Sequence, residues 1–127
     1  MTRKSAMDLV NEAKQQIEIL TPAQVKEELK KENVILLDLR ESEELKQIGK
    51  IPGSVHAPRG MLEFYADPSL PYYRPEFKKD KRIILHCAGG ARSALATVTL
   101  KQMGYENVAS LDGGIKAWKE AGLPIDE

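Results

Sequence analysis

Residues 82–92, which read RIILHCAGGAR, decide the fold of this chain. An apolar run leads directly into a short segment of small residues with two glycines, and a helical pattern of apolar positions follows. An apolar run without alternation is typical of a strand buried on both faces of a parallel sheet. The stretch therefore predicts a strand, a tight turn and a helix, in that order.

The rest of the chain repeats this alternation of strands and helices. Residues 34–38 form a second apolar run, and Ile19-Leu20 and residues 107–111 are shorter candidates for strands. Apolar residues at helical spacing predict helices between them, at about 6–17, 22–31, 41–48, 60–66, 92–103 and 114–121. The pattern predicts an α/β fold, with a mostly parallel central sheet and helices on both faces.

The composition argues against several classes of protein. The chain has 127 residues with 19 Lys or Arg and 19 Asp or Glu, so it has no net charge that would recruit nucleic acid or an anionic membrane. Its longest aliphatic run, residues 34–37, is far shorter than the roughly 20 residues of a membrane span. One cysteine excludes an internal disulfide and a zinc site with several thiolates. We expect a cytoplasmic protein with no metal, nucleic-acid or membrane partner.

The single cysteine, Cys87, lies where the predicted strand at 82–86 ends, and doubly wound folds bind ligands at such strand ends. Small residues at 88–91 let the backbone curl tightly, and glycine accepts a positive φ. The curled amides and the following helix N-terminus direct partial positive charge at the sulfur, which favours an anionic thiolate or persulfide. A cysteine without such surroundings is more often a small buried hydrophobe. The strand, loop and helix here favour a reactive residue.

Four segments resemble, in order, the motifs of rhodanese-type sulfurtransferases. The stretch Cys-x-x-Gly-x-Arg at 87–92 resembles the active-site loop of that family. The other three segments are Leu37-Asp38-Leu39-Arg40, the turn at 49–54, and Leu111-Asp112-Gly113-Gly114 with Trp118, Gly122 and Pro124. The resemblance covers about residues 20–127. It implies a rhodanese-like domain at 20–127 and places an N-terminal helical extension, 1–19, outside that domain.

The resemblance also implies a sulfur relay without a cofactor. Cys87 would take the outer sulfur of a donor such as thiosulfate as a persulfide, and cyanide, a thiol or a thiol-bearing protein would then accept it. The residues implied to bind substrate are Ala88, Gly89, Gly90, Ala91 and Arg92. Asp38 and Arg40 are implied to support the loop. A non-enzymatic persulfide carrier or a regulatory binding module is the alternative.

Several residues leave their roles open. Arg92 either holds an anionic donor or forms an ion pair with a carboxylate at Asp38 or within 41–44. Ala88 stands where thiosulfate-using members carry Arg, which argues for modest activity on thiosulfate. Four residues separate Cys87 from Arg92. Related phosphatases have one more residue in that interval, so the loop length argues against phosphoryl transfer.

Three further side chains lie near the site in the sequence, but we expect none of them to take part in it. His86 adjoins the cysteine, yet neighbouring residues of a strand point to opposite faces, so we expect His86 to be packed in the core. Arg59 and Arg74 lie in connections near the strand ends. We expect both of them to be solvated surface arginines rather than cations of the pocket.

Overall fold

The computed structural model of the protein describes residues 3–127, in which strands and helices alternate. The strands are β1 (Glu18–Leu20), β2 (Val34–Asp38), β3 (Val55–His56), β4 (Arg82–His86) and β5 (Val108–Leu111). The helices are α1 (Ala6–Lys14), α2 (Pro22–Glu28), α3 (Ser42–Ile48), α4 (Leu62–Tyr65), α5 (Ala91–Gln102) and α6 (Gly114–Glu120). A single 3₁₀ turn at Arg59–Met61 precedes α4.

All five strands belong to one parallel sheet with the order β1-β5-β4-β2-β3. The two longest strands, β2 and β4, pair along their whole length, with Asp38 opposite His86 at their carboxyl ends. Because these strands end at the same edge, the segments that follow them start side by side. The prediction of an α/β fold with a parallel sheet is confirmed.

The sheet is buried on both faces, as the apolar runs predicted. Alternate residues of β4 point to opposite sides, so Ile83 and Leu85 lie in one apolar cluster and Ile84 lies in the other. The first cluster includes Leu100 of α5, and the second includes Trp118 of α6. Helices therefore cover both faces of the sheet, and each face has its own core.

The first helix packs on the outside of α5. Val10 and Ala13 of α1 are buried against Ala94, with Leu95 and Val98 at the edge of this small cluster. Ser5 caps the helix, since its hydroxyl accepts a hydrogen bond from the Asp8 amide. No helix within residues 3–127 is long and apolar enough to cross a membrane.

The structure departs from the sequence-based expectations at a few boundaries. Strand β3 was not predicted, because a strand of two residues is too short to show a periodic pattern. Helix α1 ends at Lys14 rather than at 17, and α2 ends at Glu28 rather than near 31. The helix predicted at 60–66 is a 3₁₀ turn followed by the four-residue helix α4. None of these differences moves the loop that follows β4.

Candidate active site

The loop after β4 curls around the sulfur of Cys87. Gly90 adopts a left-handed conformation with φ of 101°, and its amide donates a hydrogen bond to Cys87 Sγ at 3.2 Å. A Cβ at position 90 would come within 3.2 Å of the backbone nitrogen of Gly113, so both the conformation and the space favour glycine. The Cys87 side chain is only 1% exposed. The thiol therefore lies at the base of a tight backbone cradle.

The rim of this cradle offers unused backbone donors. Among residues 3–127, the amides of Ala88 and Gly89 donate to no protein acceptor. The amides in the first turn of α5 have no partner within the helix, as at every helix N-terminus. The Gly90 amide, which donates to the sulfur, and these unpaired amides carry partial positive charge in the segment that follows Cys87. Such a cradle suits an anionic sulfur or the oxygens of an oxyanion.

A buried serine hydroxyl, Ser93, lies next to the sulfur and contacts a second one, Ser110, and neither was anticipated from the sequence. Ser93 Oγ is 3.7 Å from Cys87 Sγ, donates to the carbonyl of Gly90 at 3.2 Å, and lies 2.8 Å from Ser110 Oγ. The first helical turn after a glycine loop would have been a reason to consider Ser93. Its contact with Ser110 joins α5 to β5, and no local pattern indicates that contact. Ser93 therefore holds the Gly90 carbonyl of the loop and links it to Ser110 on β5.

Helix α6 is hydrogen-bonded to the backbone of the same loop. The Ile115 amide donates to the carbonyl of Cys87 at 2.9 Å, and the Lys116 amide donates to the carbonyl of Ala88 at 3.2 Å. This approach requires Gly114, which has a φ of 61° and where a Cβ would collide with the Cys87 carbonyl oxygen. Gly113-Gly114 belongs to a motif in the sequence whose role the sequence alone did not indicate. The structure shows close backbone packing there.

Arg92 forms an ion pair, which is one of the two roles left open by the sequence. Its Nη1 and Nη2 lie 2.8 Å from Oε1 and Oε2 of Glu44, respectively, in a bidentate arrangement. The hydrogen bonds from Arg92 lower the pKa of Glu44 to about 2. The Glu44 carboxylate and, to a smaller extent, the nearby Cys87 sulfur raise the pKa of the Arg92 guanidinium. The Arg92–Glu44 ion pair therefore joins the start of α5, beside the cysteine loop, to α3.

Asp38 and Arg40 form a fully buried pair that supports α3. Arg40 donates from Nε to Asp38 Oδ1 at 2.9 Å and from Nη2 to Asp38 Oδ2 at 2.7 Å. Burial by itself would raise the pKa of Asp38, but the hydrogen bonds and charge of Arg40, together with the nearby His86, outweigh burial and lower it. Arg40 also donates to the carbonyl of Gly49 at 2.8 Å, which holds the end of α3. The pair therefore affects the cysteine loop only indirectly: it holds α3, and the Glu44 side chain of α3 binds Arg92.

The remaining candidates do not face the sulfur. His86 is fully buried, and its nearest polar neighbours are the Cys87 carbonyl at 3.4 Å and Asp38 Oδ2 at 3.6 Å. Burial lowers the pKa of His86, which keeps the imidazole neutral near pH 7. Arg59 pairs with Glu63 at 2.9 Å, and Arg74 donates to the His56 carbonyl at 2.9 Å. Both arginines are half-buried and paired, so the expectation of solvated side chains was wrong.

An apolar groove of about 460 Å³ lies beside the cysteine loop, and we call it the α6 groove. Its walls come from the end of α3, from the loop itself and from one side of α6. The lining residues are Ile48, Ala88, Gly89, Ile115, Lys116, Lys119 and Glu120. The volume falls within the range of about 300–1,000 Å³ that is common for small-molecule sites. The sequence did not predict this groove.

Comparison with known proteins agrees with this architecture. The profile of the rhodanese-like domain matches residues 21–121. A sulfurtransferase of Allochromatium vinosum is 38% identical over 74% of this chain and 79% of its own length. The thiosulfate sulfurtransferase GlpE of Pseudoalteromonas translucida is 35% identical over 78% of this chain and 86% of its own length.

A solved structure extends the similarity to nearly the whole chain. It is a protein of unknown function from Rhodopseudomonas palustris, described as a possible tyrosine phosphatase. The two structures superpose with a TM-score of 0.92 at 41% identity, over 99% of this chain and 97% of the other. The fold, the cysteine loop and the matched segment at 21–121 lead to one assignment. This chain belongs to the rhodanese-like sulfurtransferase family.

Proposed function

We propose that this protein transfers a sulfane sulfur from a thiosulfate-type donor to a thiol or cyanide through a persulfide on Cys87. The observation that carries the proposal is the cradle around Cys87 Sγ, in which the Gly90 amide donates to the sulfur at 3.2 Å. The amides of Ala88 and Gly89 remain free beside it. A single free cysteine suits a reducing compartment, so we assign this reaction to the cytoplasm.

In the first step the Cys87 thiolate attacks the outer sulfur of the donor. A bond forms between Cys87 Sγ and the outer sulfur, the sulfur–sulfur bond of thiosulfate breaks, and its electron pair leaves with sulfite. Cys87 becomes an anionic persulfide, and no proton has to move if the thiol is already ionised. The free amides of the loop favour the negative charge that both states carry.

In the second step an acceptor removes the outer sulfur. A thiolate or cyanide attacks that atom, the bond between the two sulfurs breaks, and its electron pair returns to Cys87 as a thiolate. The acceptor leaves as a persulfide or as thiocyanate. Because the enzyme is modified between two half-reactions, the kinetics should be of the ping-pong type.

Two other functions use the same loop. A carrier or regulatory module would hold or present the sulfur without turnover, and turnover with small donors separates that case from an enzyme. The second of these functions is phosphoryl transfer, which the description of the Rhodopseudomonas palustris protein suggests. The four-residue interval between Cys87 and Arg92 argues against it, because a transferred phosphoryl group needs room for three equatorial oxygens.

The test is the intact mass of the protein after incubation with thiosulfate. We expect the wild type to gain one sulfur atom and to lose it on addition of cyanide or a thiol, whereas Cys87→Ser gains none. A folded wild type with a titratable thiol and no gain in mass would contradict the thiosulfate reaction. Hydrolysis of an aryl phosphate by the same preparation would instead support the phosphatase.

A further inference from the structure

Ser110 of β5 lies next to Ser93, the serine that contacts the sulfur. Ser110 pairs with Leu85 of β4 in the sheet, and its hydroxyl lies 2.8 Å from that of Ser93 on α5. Ser93 Oγ is in turn 3.7 Å from Cys87 Sγ. Ser93 and Ser110 are 0% and 3% exposed, so both hydroxyls have to find their partners within the protein. They form a short buried chain that ends at the sulfur.

The neighbours of Ser93 Oγ use every hydrogen-bonding position that a hydroxyl has. A serine hydroxyl offers one donor and two lone pairs. The carbonyl of Gly90, 3.2 Å away, can only accept, so it takes the hydrogen of Ser93. The Cys87 thiol and the Ser110 hydroxyl then donate to the two lone pairs. With Cys87 as a thiol, the hydroxyl of Ser93 is therefore saturated.

The direction of the Ser110 hydrogen follows from its surroundings. Within residues 3–127, Ser93 Oγ is the only hydrogen-bond partner of Ser110 Oγ. If Ser93 donated to Ser110, the hydrogen of Ser110 would be buried without an acceptor, which is unfavourable for a polar group. Ser110 therefore donates, and the hydrogen of Ser93 points toward the cysteine loop.

Ionisation of Cys87 changes the hydrogen bonds of Ser93. Loss of the thiol proton to the solvent leaves an anionic sulfur that can accept but not donate. The Gly90 amide already donates to the sulfur at 3.2 Å, and the Ser93 hydrogen can turn to it as a second donor. The Gly90 carbonyl then keeps the amide of Ala94, 3.2 Å away, as its donor. Ser110 still donates to Ser93, and a hydroxyl that accepts such a bond is itself a stronger donor.

We propose that Ser110 is a positioning residue that stabilises the Cys87 thiolate through the hydroxyl of Ser93. The inference rests on the proposed sulfur transfer, in which Cys87 attacks as a thiolate and returns to that state after the second step. Ser110 directs the hydrogen of Ser93 toward the loop and strengthens the bond that this hydrogen makes to the anionic sulfur. Because the two serines belong to β5 and α5, the sheet and the helix together fix the donor.

The experiment measures the ultraviolet absorbance of the Cys87 thiolate as a function of pH. Cys87 is the only cysteine of the chain, so Cys87→Ser provides the blank for absorbance from other groups. We expect Ser93→Ala to move the midpoint of the curve upward by about one pH unit, and Ser110→Ala to move it by about 0.3–0.6. Below the midpoint, persulfide formation from thiosulfate should be about twofold to fourfold slower in Ser110→Ala.

Two further variants separate this role from a structural one. When Ser110→Ala is added to Ser93→Ala, it should cause no further shift, because the connection to the sulfur is already broken. Thr97→Val is the matched control, since the fully buried hydroxyl of Thr97 donates to the backbone carbonyl of Ser93 at 2.7 Å and not to its hydroxyl. It should lower stability, as Ser110→Ala does, and keep the midpoint of the wild type.

The ionisable side chains around the loop are the same in all of these serine and threonine variants. They are Asp38, Glu44, His86, Arg92, Asp112 and Lys116, which belong to the strands, helices and turn next to the loop. A shift of the midpoint between variants therefore comes from the hydroxyls that were removed.

The absorbance measurement needs no thiosulfate, so failure of this inference differs from failure of the proposed function. The inference is overturned if Ser110→Ala keeps the midpoint of the wild type, or if it shifts the midpoint equally with and without Ser93. An equal shift in Thr97→Val would overturn it as well, because loosening of α5 would then explain the effect. If the midpoints move as expected but the wild type forms no persulfide, the sulfur transfer fails and the role of Ser110 toward the thiolate stands.

Discussion

At the scale of single residues, the pair between Glu44 and Arg92 connects the reactive loop to a helix from a distant part of the sequence. Arg92 is the second residue of α5, and Glu44 lies on α3, 48 positions earlier. Because both guanidinium nitrogens are held at 2.8 Å, the Arg92 side chain is fixed in one orientation at the start of α5. Glu44 therefore acts as a positioning residue for the loop.

The pH dependence of stability tests this pair. The pKa of Glu44 in the folded protein is about 2, below its ordinary value of 4.5, so the pair stabilises the fold above pH 4.5 and loses that effect as the pH falls toward 2. We expect Glu44→Gln to lower the Tm by about 2–4 °C at pH 7. The difference from the wild type should narrow steadily below pH 4.5 and can be followed by thermal melts.

The control for this experiment is Glu43→Gln on the same helix. Glu43 has a side chain that is 79% exposed and lies 3.5 Å from the similarly exposed Lys46, a pair from which we expect little stabilisation. Its Tm should match that of the wild type at every pH. If the difference in Tm between Glu44→Gln and the wild type stays constant from neutral to acidic pH, ionisation of Glu44 does not contribute to stability.

The sequence predicted the backbone of the cysteine loop better than the side-chain contacts around it. Cys87 and the small residues at 88–91 are local in sequence, so a strand followed by glycines was enough to predict the loop. The partner of Arg92 was left open, because several carboxylates within 38–44 are equally plausible before the sheet brings α3 beside α5. Ser110 was missed for the same reason, since its contact with Ser93 spans 17 positions.

At the scale of elements, the contact between α6 and the cysteine loop decides how rigidly the sulfur is held. Two amides of α6 donate to the carbonyls of Cys87 and Ala88, and Gly114 allows the backbones to meet. The strands at 34–38 and 82–86 were predicted with the bounds they have, because long apolar runs mark buried strands. This contact was not predicted, since it depends on how two separate turns pack.

Substitution of Gly114 by alanine tests the contact. Gly114 has a φ of 61° and its added Cβ would collide with the Cys87 carbonyl, so α6 has to move away from the loop. We expect Gly114→Ala to lower the free energy of unfolding by at least about 3 kcal/mol, from backbone strain and lost packing together. We also expect a marked loss of persulfide formation from thiosulfate. Denaturant unfolding and intact mass measure the two effects.

Gly122→Ala is the matched control for that substitution. Gly122 also has a positive φ, 74°, but nothing lies within 4 Å of a Cβ added there. It should cost only the strain of a left-handed residue, about 1–2 kcal/mol, and leave persulfide formation intact. Equal losses of stability in the two variants would mean that the contact with the loop contributes nothing beyond that strain.

At the scale of the whole molecule, α1 adds a layer to a domain that the family profile places at 21–121. We propose that residues 20–127 hold the rhodanese-like domain and that the extension at 1–19 completes it, through α1 on its surface and through Glu18 and Ile19, which belong to β1 of the central sheet. The support is the cluster in which Val10 and Ala13 are each 3% exposed against Ala94. Without α1, the apolar side of α5 would face water.

Two substitutions on α1 test whether the extension stabilises the domain. Val10→Ala removes two buried methyl groups from the contact with α5 and should lower the free energy of unfolding by about 2 kcal/mol. Leu9→Ala on the same helix removes a side chain that is 46% exposed and should change it by less than about 0.5 kcal/mol. Both are read from urea unfolding. If both substitutions leave the free energy of unfolding unchanged, α1 does not fold together with the domain. A substitution on α1 lowers the free energy of global unfolding only if α1 is docked in the native state. The expected difference between the two variants would therefore make α1 part of one cooperative unit.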